Sequence, residues 1–458
     1  MAGSIAVREF EKIFCGDRTE RLDTPCLSSQ AYKNLRSAIL DEESGEIGKV
    51  FSIRSKNGKE YIVAANYVGT VQTADGTTID ILPKIYTVPV GEGPDSEAQI
   101  CGLKESKTVL LNMLRHFRDD SGISFQVANL ESSSNFPILE IYISTYLKEL
   151  ERLLAHGIRN NYVPTEAKSN VLKGKLLMKQ QVVQEAFDKS KFCVRYNAFL
   201  ADIPQNRIIV STLKLLEGVT HNSLNKTRIQ SALARLDGIC ESQNVSRDII
   251  LSSDSNRLFS EYKLLLLWSE LFLRNQSFTS FSGKYINQAL LFPADKLFES
   301  FIVYLVKKYF SDDYEIYPQD NRHYLIEEHN GHSLFRIRPD IFLRRRDTAD
   351  INLPGRIIID TKWKRIDQNK VKGYNIDQHD LYQMYAYGKK YQDSDAVPKL
   401  ILLYPYCDSF MATLPLFVYD VQEGSGNLKV MVSSFNLSVP REYESILRAL
   451  INSSTTSG

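Results

Sequence analysis

The stretch IRPDIFLRRRDTADINLPGRIIIDTKWKRI, residues 337–366, decides how the C-terminal part of the chain is read. Asp360 ends the apolar run Ile357, Ile358, Ile359, and Lys362 follows two positions later. Side chains alternate along a strand, so Asp360 and Lys362 share a face. Asp340, directly after Pro339, closes the strand predicted before it. If the two strands pair, two carboxylates and an ammonium meet at one end of a sheet. Two carboxylates suit a hard, oxygen-seeking cation such as Mg2+, and an ammonium beside them aligns water or offsets charge on a phosphate. That set fits phosphodiester hydrolysis. An isolated D-x-K is most often an exposed ion pair. Here the apolar residues ahead of Asp360 put a charge beside a buried strand, a cost that usually accompanies pairing or a metal.

Working outward, PADKLFESFIVYLVKKYF (293–310) predicts a helix, HYLIEEHNGHSLFRIRPDIFLRR (323–345) a hairpin around Asn330-Gly331, and HDLYQMYAYGKKY (379–391) a second helix. Strands KLILLYPY, LPLFVYDV and LKVMVSSFNL follow, then a last helix, EYESILRALI. This order predicts a mixed α/β domain over 286–458. Glu299 interrupts the apolar run of the first helix and is a candidate third carboxylate. Gln383 and Tyr387 stand four apart on one helix face, where they contact DNA, hold the lysine, or simply pack. Arg344, Arg345, Arg346, Lys364 and Arg365 are local basic candidates for DNA contact, although such runs are more often solvated loop charges.

The rest of the chain divides by period. Residues 1–160 predict a β-rich region with helices: KVFSIRS, EYIVAANYVGTVQT and TTIDILPKI are strands with Asn57-Gly58 and Asp75-Gly76 turns, followed by helical SKTVLLNMLRHF and ILEIYISTYLKELERLLAHGI. Residues 161–285 read as a mainly helical middle, carried by QNRIIVSTLKLLEGV, NKTRIQSALARLDGI and FSEYKLLLLWSELFLRN. Its first part, 162–200, mixes Pro, Gly and basic residues and reads as looping back toward the β region. The fold class is α+β multidomain. A net charge of +1 over 458 residues gives no global pull toward nucleic acid. Six dispersed cysteines form no CxxC and read as reduced thiols. The longest apolar run, 262–273, contains Ser269 and Glu270 and falls short of the roughly 18 apolar residues of a membrane span. With no secretory signal at the N-terminus, a cytoplasmic protein is expected, with no membrane partner.

PD at 339–340, D-T-K at 360–362 and Q-x-x-x-Y at 383–387, after the Glu299 helix, resemble the PD-(D/E)xK nuclease superfamily in its RecB-like arrangement. More narrowly, LLFPADKLFESFI, RPDIFL, IIIDTKWK and DLYQMYAYGKKY resemble the McrC family, the nuclease subunits of McrBC modification-dependent restriction systems. NYVGTVQTADGTTIDILPKI and LKGKLLMKQQ resemble it too, so the likeness touches all three regions. The resemblance implies a C-terminal restriction-endonuclease-like domain in which Asp340, Asp360 and Lys362 are catalytic and Glu299, Gln383 and Tyr387 support them. Asp340 and Asp360 would hold Mg2+, with Glu299 as a further candidate. It implies cutting of modified, methylcytosine-containing double-stranded DNA in antiphage defence, with a McrB-like AAA+ GTPase hexamer as partner, which the chain stimulates and into whose channel its N-terminal region docks. No G-x-x-x-x-G-K-[ST] occurs, so this chain is expected to bind no nucleotide itself. Two other readings stay open: a non-catalytic NTPase-activating adaptor on a nuclease fold, and a stand-alone RecB-like repair exonuclease.

Overall fold

The computed structural model describes residues 3–16, 25–41, 47–85, 97–115, 137–185, 190–252, 257–273, 285–370, 372–392, 397–419 and 427–453. The chain forms two compact units, one of Met1–Pro137 with Ser282–Gly458 and one of Ile138–Phe281. Among the described residues no helix is long and apolar enough to cross a membrane.

The first unit begins with β1 (Ser4–Arg8), β2 (Lys12–Cys15), β3 (Cys26–Leu27), α1 (Ser29–Leu40), the short α2 (Ile47–Val50), β4 (Phe51–Lys56), β5 (Lys59–Ala64), β6 (Tyr67–Thr73), β7 (Thr78–Leu82) and α3 (Glu97–Arg115). Strands β4 and β5 form the expected hairpin, with Asn57 and Gly58 both at positive φ, as a two-residue turn between right-twisted strands requires. Ser28 caps α1 by accepting from Ala31 N. One sheet runs β3-β2-β5-β4. The other runs β1-β7-β6-β11, where β11 (Ile286–Pro293) arrives from beyond the second unit and pairs antiparallel with β6.

The second unit contains α4 (Ile138–His156), β8 (Asn161–Ser169), β9 (Lys175–Leu176), α5 (Met178–Glu185), β10 (Phe192–Leu200), α6 (Pro204–Val219), α7 (Ser223–Arg235), α8 (Val245–Ser252) and α9 (Lys263–Leu273). Helices α4, α6, α7 and α9 fall on the stretches whose periodicity predicts them, whereas α5 and α8 lie outside those stretches. Residues 161–200 differ from that reading: β8 and β10 pair antiparallel along their whole length, with β9 on the other side of β10. Pro164 obscures this in the sequence, and it is tolerated because β8 is an edge strand, with ladder bonds on one side only.

After β11 the first unit resumes with α10 (Ala294–Phe310), β12 (Tyr314–Pro318), β13 (Tyr324–His329), β14 (His332–Arg336), β15 (Ile341–Arg345), β16 (Arg356–Thr361), α11 (Gln378–Lys390), β17 (Lys399–Pro405), β18 (Phe417–Val418), β19 (Lys429–Phe435) and α12 (Tyr443–Asn452). A six-stranded mixed sheet runs β12-β15-β16-β17-β19-β18. Strands β16, β17 and β19 are mutually parallel, and β15 is antiparallel to β16. Helix α11 covers one face, packing Met384 and Tyr387 among Ile358, Leu400, Leu402 and Val430. On α10 and α12, Phe301 meets Tyr443 edge to face at 5.5 Å.

The hairpin predicted over 323–345 is shorter than expected. Asn330 and Gly331 do turn β13 into β14, but β15 leaves that pair and joins the main sheet. Asp340 therefore opens β15 and does not close a strand. This difference decides the site. In the antiparallel register Ile341 faces Ile359, so the residue before β15 lies beside the end of β16 and thus beside Asp360. At the close of an antiparallel neighbour it would have lain at the opposite end.

Candidate active site

Alternation along β16 sends Ile358 into the core under α11, and Asp360 and Lys362 follow on the same face. Strand β16 ends at Thr361 rather than running on to 366; beyond it, Lys362 N still donates to Leu403 O at 2.9 Å. Asp360 is 1% exposed. Lys362 Nζ pairs with its Oδ2 at 2.5 Å, and beyond that ion pair neither Asp360 oxygen has a hydrogen-bond partner. Burial pushes the Asp360 carboxyl up to about 7; the charge of Asp340 pushes the same way, and Lys362 opposes both.

Asp340 is held quite differently. Its Oδ2 accepts from Thr361 N at 2.7 Å and from Thr361 Oγ1 at 2.6 Å, and its Oδ1 accepts from Gln319 Nε2 at 3.3 Å. The same Gln319 amide donates to Glu299 Oε1, and Lys296 Nζ donates to Glu299 Oε2 at 3.0 Å. Burial first, and then the Asp340 charge, raise the Glu299 carboxyl above its usual range. On the other flank Lys362 Nζ donates to Gln383 Oε1 at 2.9 Å, Gln383 Nε2 donates to Tyr387 Oη at 2.6 Å, and Tyr387 Oη donates to Arg338 O at 2.8 Å. The fold thus brings together Asp340, Asp360, Lys362, Glu299, Gln383 and Tyr387.

It does not bring the arginines of β15 to that cluster. Arg345 is five residues along the strand from Asp340, about 16 Å at 3.3 Å per residue. Arg344 Nε donates to Glu315 Oε2 at 2.9 Å, Arg345 Nη1 to the carbonyls of Ile351 and Leu353, and Arg346 Nε to Ser311 O. Lys364 pairs with Asp380 at 2.9 Å and Asp377 at 3.3 Å, and Arg365 is half-buried. Sequence reasoning missed Thr361 and Gln319. Thr361 was in view as the middle of D-T-K, but its role needs the β15 neighbour. Gln319, at φ +49 after β12, carries no signal that separates it from an ordinary turn residue.

The donor set fits a hard cation in one specific respect: Asp360 presents two buried oxygens without a hydrogen-bond partner, next to the anchored carboxylate of Asp340. Among the described residues no three His, Cys, Asp or Glu side chains gather as a complete ligand cage. Mg2+ is suited to such a partial set, because it keeps several waters and takes one or two protein carboxylates plus phosphate oxygens.

Fold and cluster together define a mixed α/β protein with an acid–lysine site at the end of a buried sheet. The chain belongs to the family of McrBC 5-methylcytosine restriction system components, which it matches over residues 62–405. Its fold is similar to that of a chain in the half-complex from a tetradecameric assembly of Thermococcus gammatolerans McrB AAA+ hexamers with bound McrC. The identity is 16%, the match covers 98% of this chain and 100% of that one, and the TM-score is 0.62. A chain of the Thermococcus gammatolerans McrBC complex aligns at 18% identity over 66% of this chain and 87% of that one, with a TM-score of 0.44. A search of the curated proteins found no match.

Proposed function

We propose that this chain is the DNA-cutting subunit of a McrBC-type restriction complex, a PD-(D/E)xK endonuclease that works with a McrB-like AAA+ GTPase on modified double-stranded DNA. The observation that carries the reading is Asp360: a fully buried carboxylate whose one partner is the Lys362 ammonium, set beside the like charge of Asp340. Such an arrangement is costly unless it is used. Asp340 and Asp360, with Glu299 behind Gln319, would hold Mg2+. When bound, the ion supplies a nucleophilic water at neutral pH and offsets charge on the scissile phosphate. Thr361 fixes the direction of Asp340. Gln383 holds the Lys362 ammonium, which orients the attacking water and faces the developing negative charge. Tyr387 locks Gln383 against the backbone of Arg338.

Two consequences follow from this reading. The near-neutral chain leaves DNA delivery to the partner, since affinity for DNA scales with the phosphates neutralised. Tyr387→Phe, which removes the hydroxyl between Gln383 and Arg338 O, is expected to cost about 1 kcal/mol of stability and to slow cleavage about tenfold by loosening Lys362. A melt and a plasmid assay on the same preparation check both.

The test of the function is cleavage of a cytosine-methylated plasmid by this protein with a McrB-type GTPase, GTP and Mg2+, beside Asp360→Ala and beside the chain alone. Cleavage should need the partner and vanish in the variant. Equal cleavage by Asp360→Ala would leave the chain as an activator on a nuclease fold. Degradation of linear ends by the chain with Mg2+ alone would favour the repair exonuclease.

A further inference from the structure

Glu9 is a buried acid that the proposed chemistry does not use. It follows β1, its side chain is fully buried, and its carboxylate accepts from Trp363 Nε1 at 2.9 and 3.2 Å and from Lys84 N at 3.2 Å. Lys84 Nζ stands 3.9 Å from Oε1. The Trp363 ring, 5% exposed, packs on Phe298 with centroids 5.4 Å apart. Trp363 is the residue after Lys362, and Phe298 is the residue before Glu299. Beyond Thr361 the chain has left β16; Lys362 N is still tied to Leu403 O, and the residues on either side of it add two further fixed points. One is Thr361, bound to Asp340. The other is Trp363, whose indole N–H donates to a residue 354 positions earlier.

Resting on the nuclease reading above, we propose that Glu9 is a positioning residue for the candidate site. Through the indole of Trp363 it fixes the segment that carries Lys362, and through the Trp363–Phe298 contact it fixes the turn of α10 that carries Glu299. The N-terminal sheet therefore sets the geometry of a site built in the C-terminal sheet. A carboxylate suits the task better than an amide, because its two oxygens serve three donors from two directions, while the indole N–H takes no other partner. A purely space-filling role would not need an acid here, since burying one among apolar residues carries a desolvation cost.

The experiment is steady-state cleavage by the assembled complex for Glu9→Gln, Glu9→Leu, Trp363→Phe, the double variant Glu9→Leu/Trp363→Phe and Lys362→Ala, each checked for folding by thermal melting. Glu9→Leu and Trp363→Phe are expected to lower kcat by about 10- to 100-fold with KM for DNA unchanged. Glu9→Gln, which keeps one acceptor for the indole but turns an amide N–H toward another donor, should fall between wild type and Glu9→Leu. Because Glu9 acts through Trp363, the double variant should be no slower than the worse single one. If Glu9→Leu does not fold, Trp363→Phe, which keeps the ring and loses only the N–H, carries the test alone. Folded Trp363→Phe with an unchanged kcat, beside an inactive Lys362→Ala, would overturn the proposal. So would fully additive losses in the double variant. An active Lys362→Ala would instead overturn the nuclease reading on which the proposal stands.

Discussion

Replacing Asp360 by asparagine is expected to abolish DNA cleavage and, at the same time, to make the metal-free protein more stable. The wild-type carboxylate is 1% exposed and its neighbour Asp340 bears the same charge; its one partner is Lys362, and burial with that repulsion outweighs the pair, since the carboxyl is pushed up to about 7. An amide of the same shape removes the charge and the repulsion while keeping the packing. A gain of about 1–2 kcal/mol is the scale at which functional sites are traded against stability. Cleavage should fall by at least about a thousandfold, because an ion-held water and charge neutralisation together are worth several kcal/mol in such reactions. The loss of cleavage alone would not separate a ligand from a structural acid. The sharper readout is melting in EDTA and then in rising Mg2+. Wild type should gain about 2.7 kcal/mol when Mg2+ reaches a hundred times its Kd, and Asp360→Asn should gain almost nothing. A wild-type melting temperature indifferent to Mg2+ would sink the assignment of Asp360 as a ligand.

The residues that the sequence makes legible are those whose partners are set by local periodicity. Asp360 and Lys362 share a face because strands alternate, and Gln383 and Tyr387 touch because helices repeat near four residues; both pairs are joined by the contacts that these periods imply. Glu299 was visible as a break in an apolar run. Asp340 was visible as a residue but was assigned to the wrong end of a strand, because the turn at Asn330-Gly331 suggests one long hairpin. Only the sheet order shows that β15 belongs elsewhere. Gln319 and Glu9 were invisible, since each matters through a residue far away in sequence, Gln319 through Asp340 and Glu9 through Trp363. The triple arginine shows the opposite limit. Composition marks it as a basic patch, while its side chains donate to Glu315, to Ser311 O and to the loop at 351–353.

Long-range pairing of the same kind joins the N-terminal sheet to α10, and Gly69→Ala is expected to break it. Gly69 lies in β6, the strand between β7 and β11, opposite Ile81 on one side and Leu291 on the other. Its φ is +134, and a Cβ built there would sit 2.0 Å from the backbone oxygen of Leu290. The clash is with main chain, which no rotamer relieves, and the backbone angle is one that L residues rarely adopt. A loss above about 4 kcal/mol is therefore expected, in the range reserved for strained backbone and broken cores. Gly58→Ala is the matched control: φ is +73 but nothing lies within 4 Å of the added carbon, so only the conformational cost of about 1 kcal/mol remains. Urea melts of the two variants should differ accordingly, and Gly69→Ala within about 1 kcal/mol of wild type would mean that β6 and β11 separate without cost. The consequence reaches the site, because β11 runs straight into α10, where Ala294 N donates to Asn66 O and the next turn carries Phe298 and Glu299. A folded but weakened Gly69→Ala should for that reason lose cleavage out of proportion to its melting temperature, which a C-terminal domain independent of the N-terminal sheet would not do.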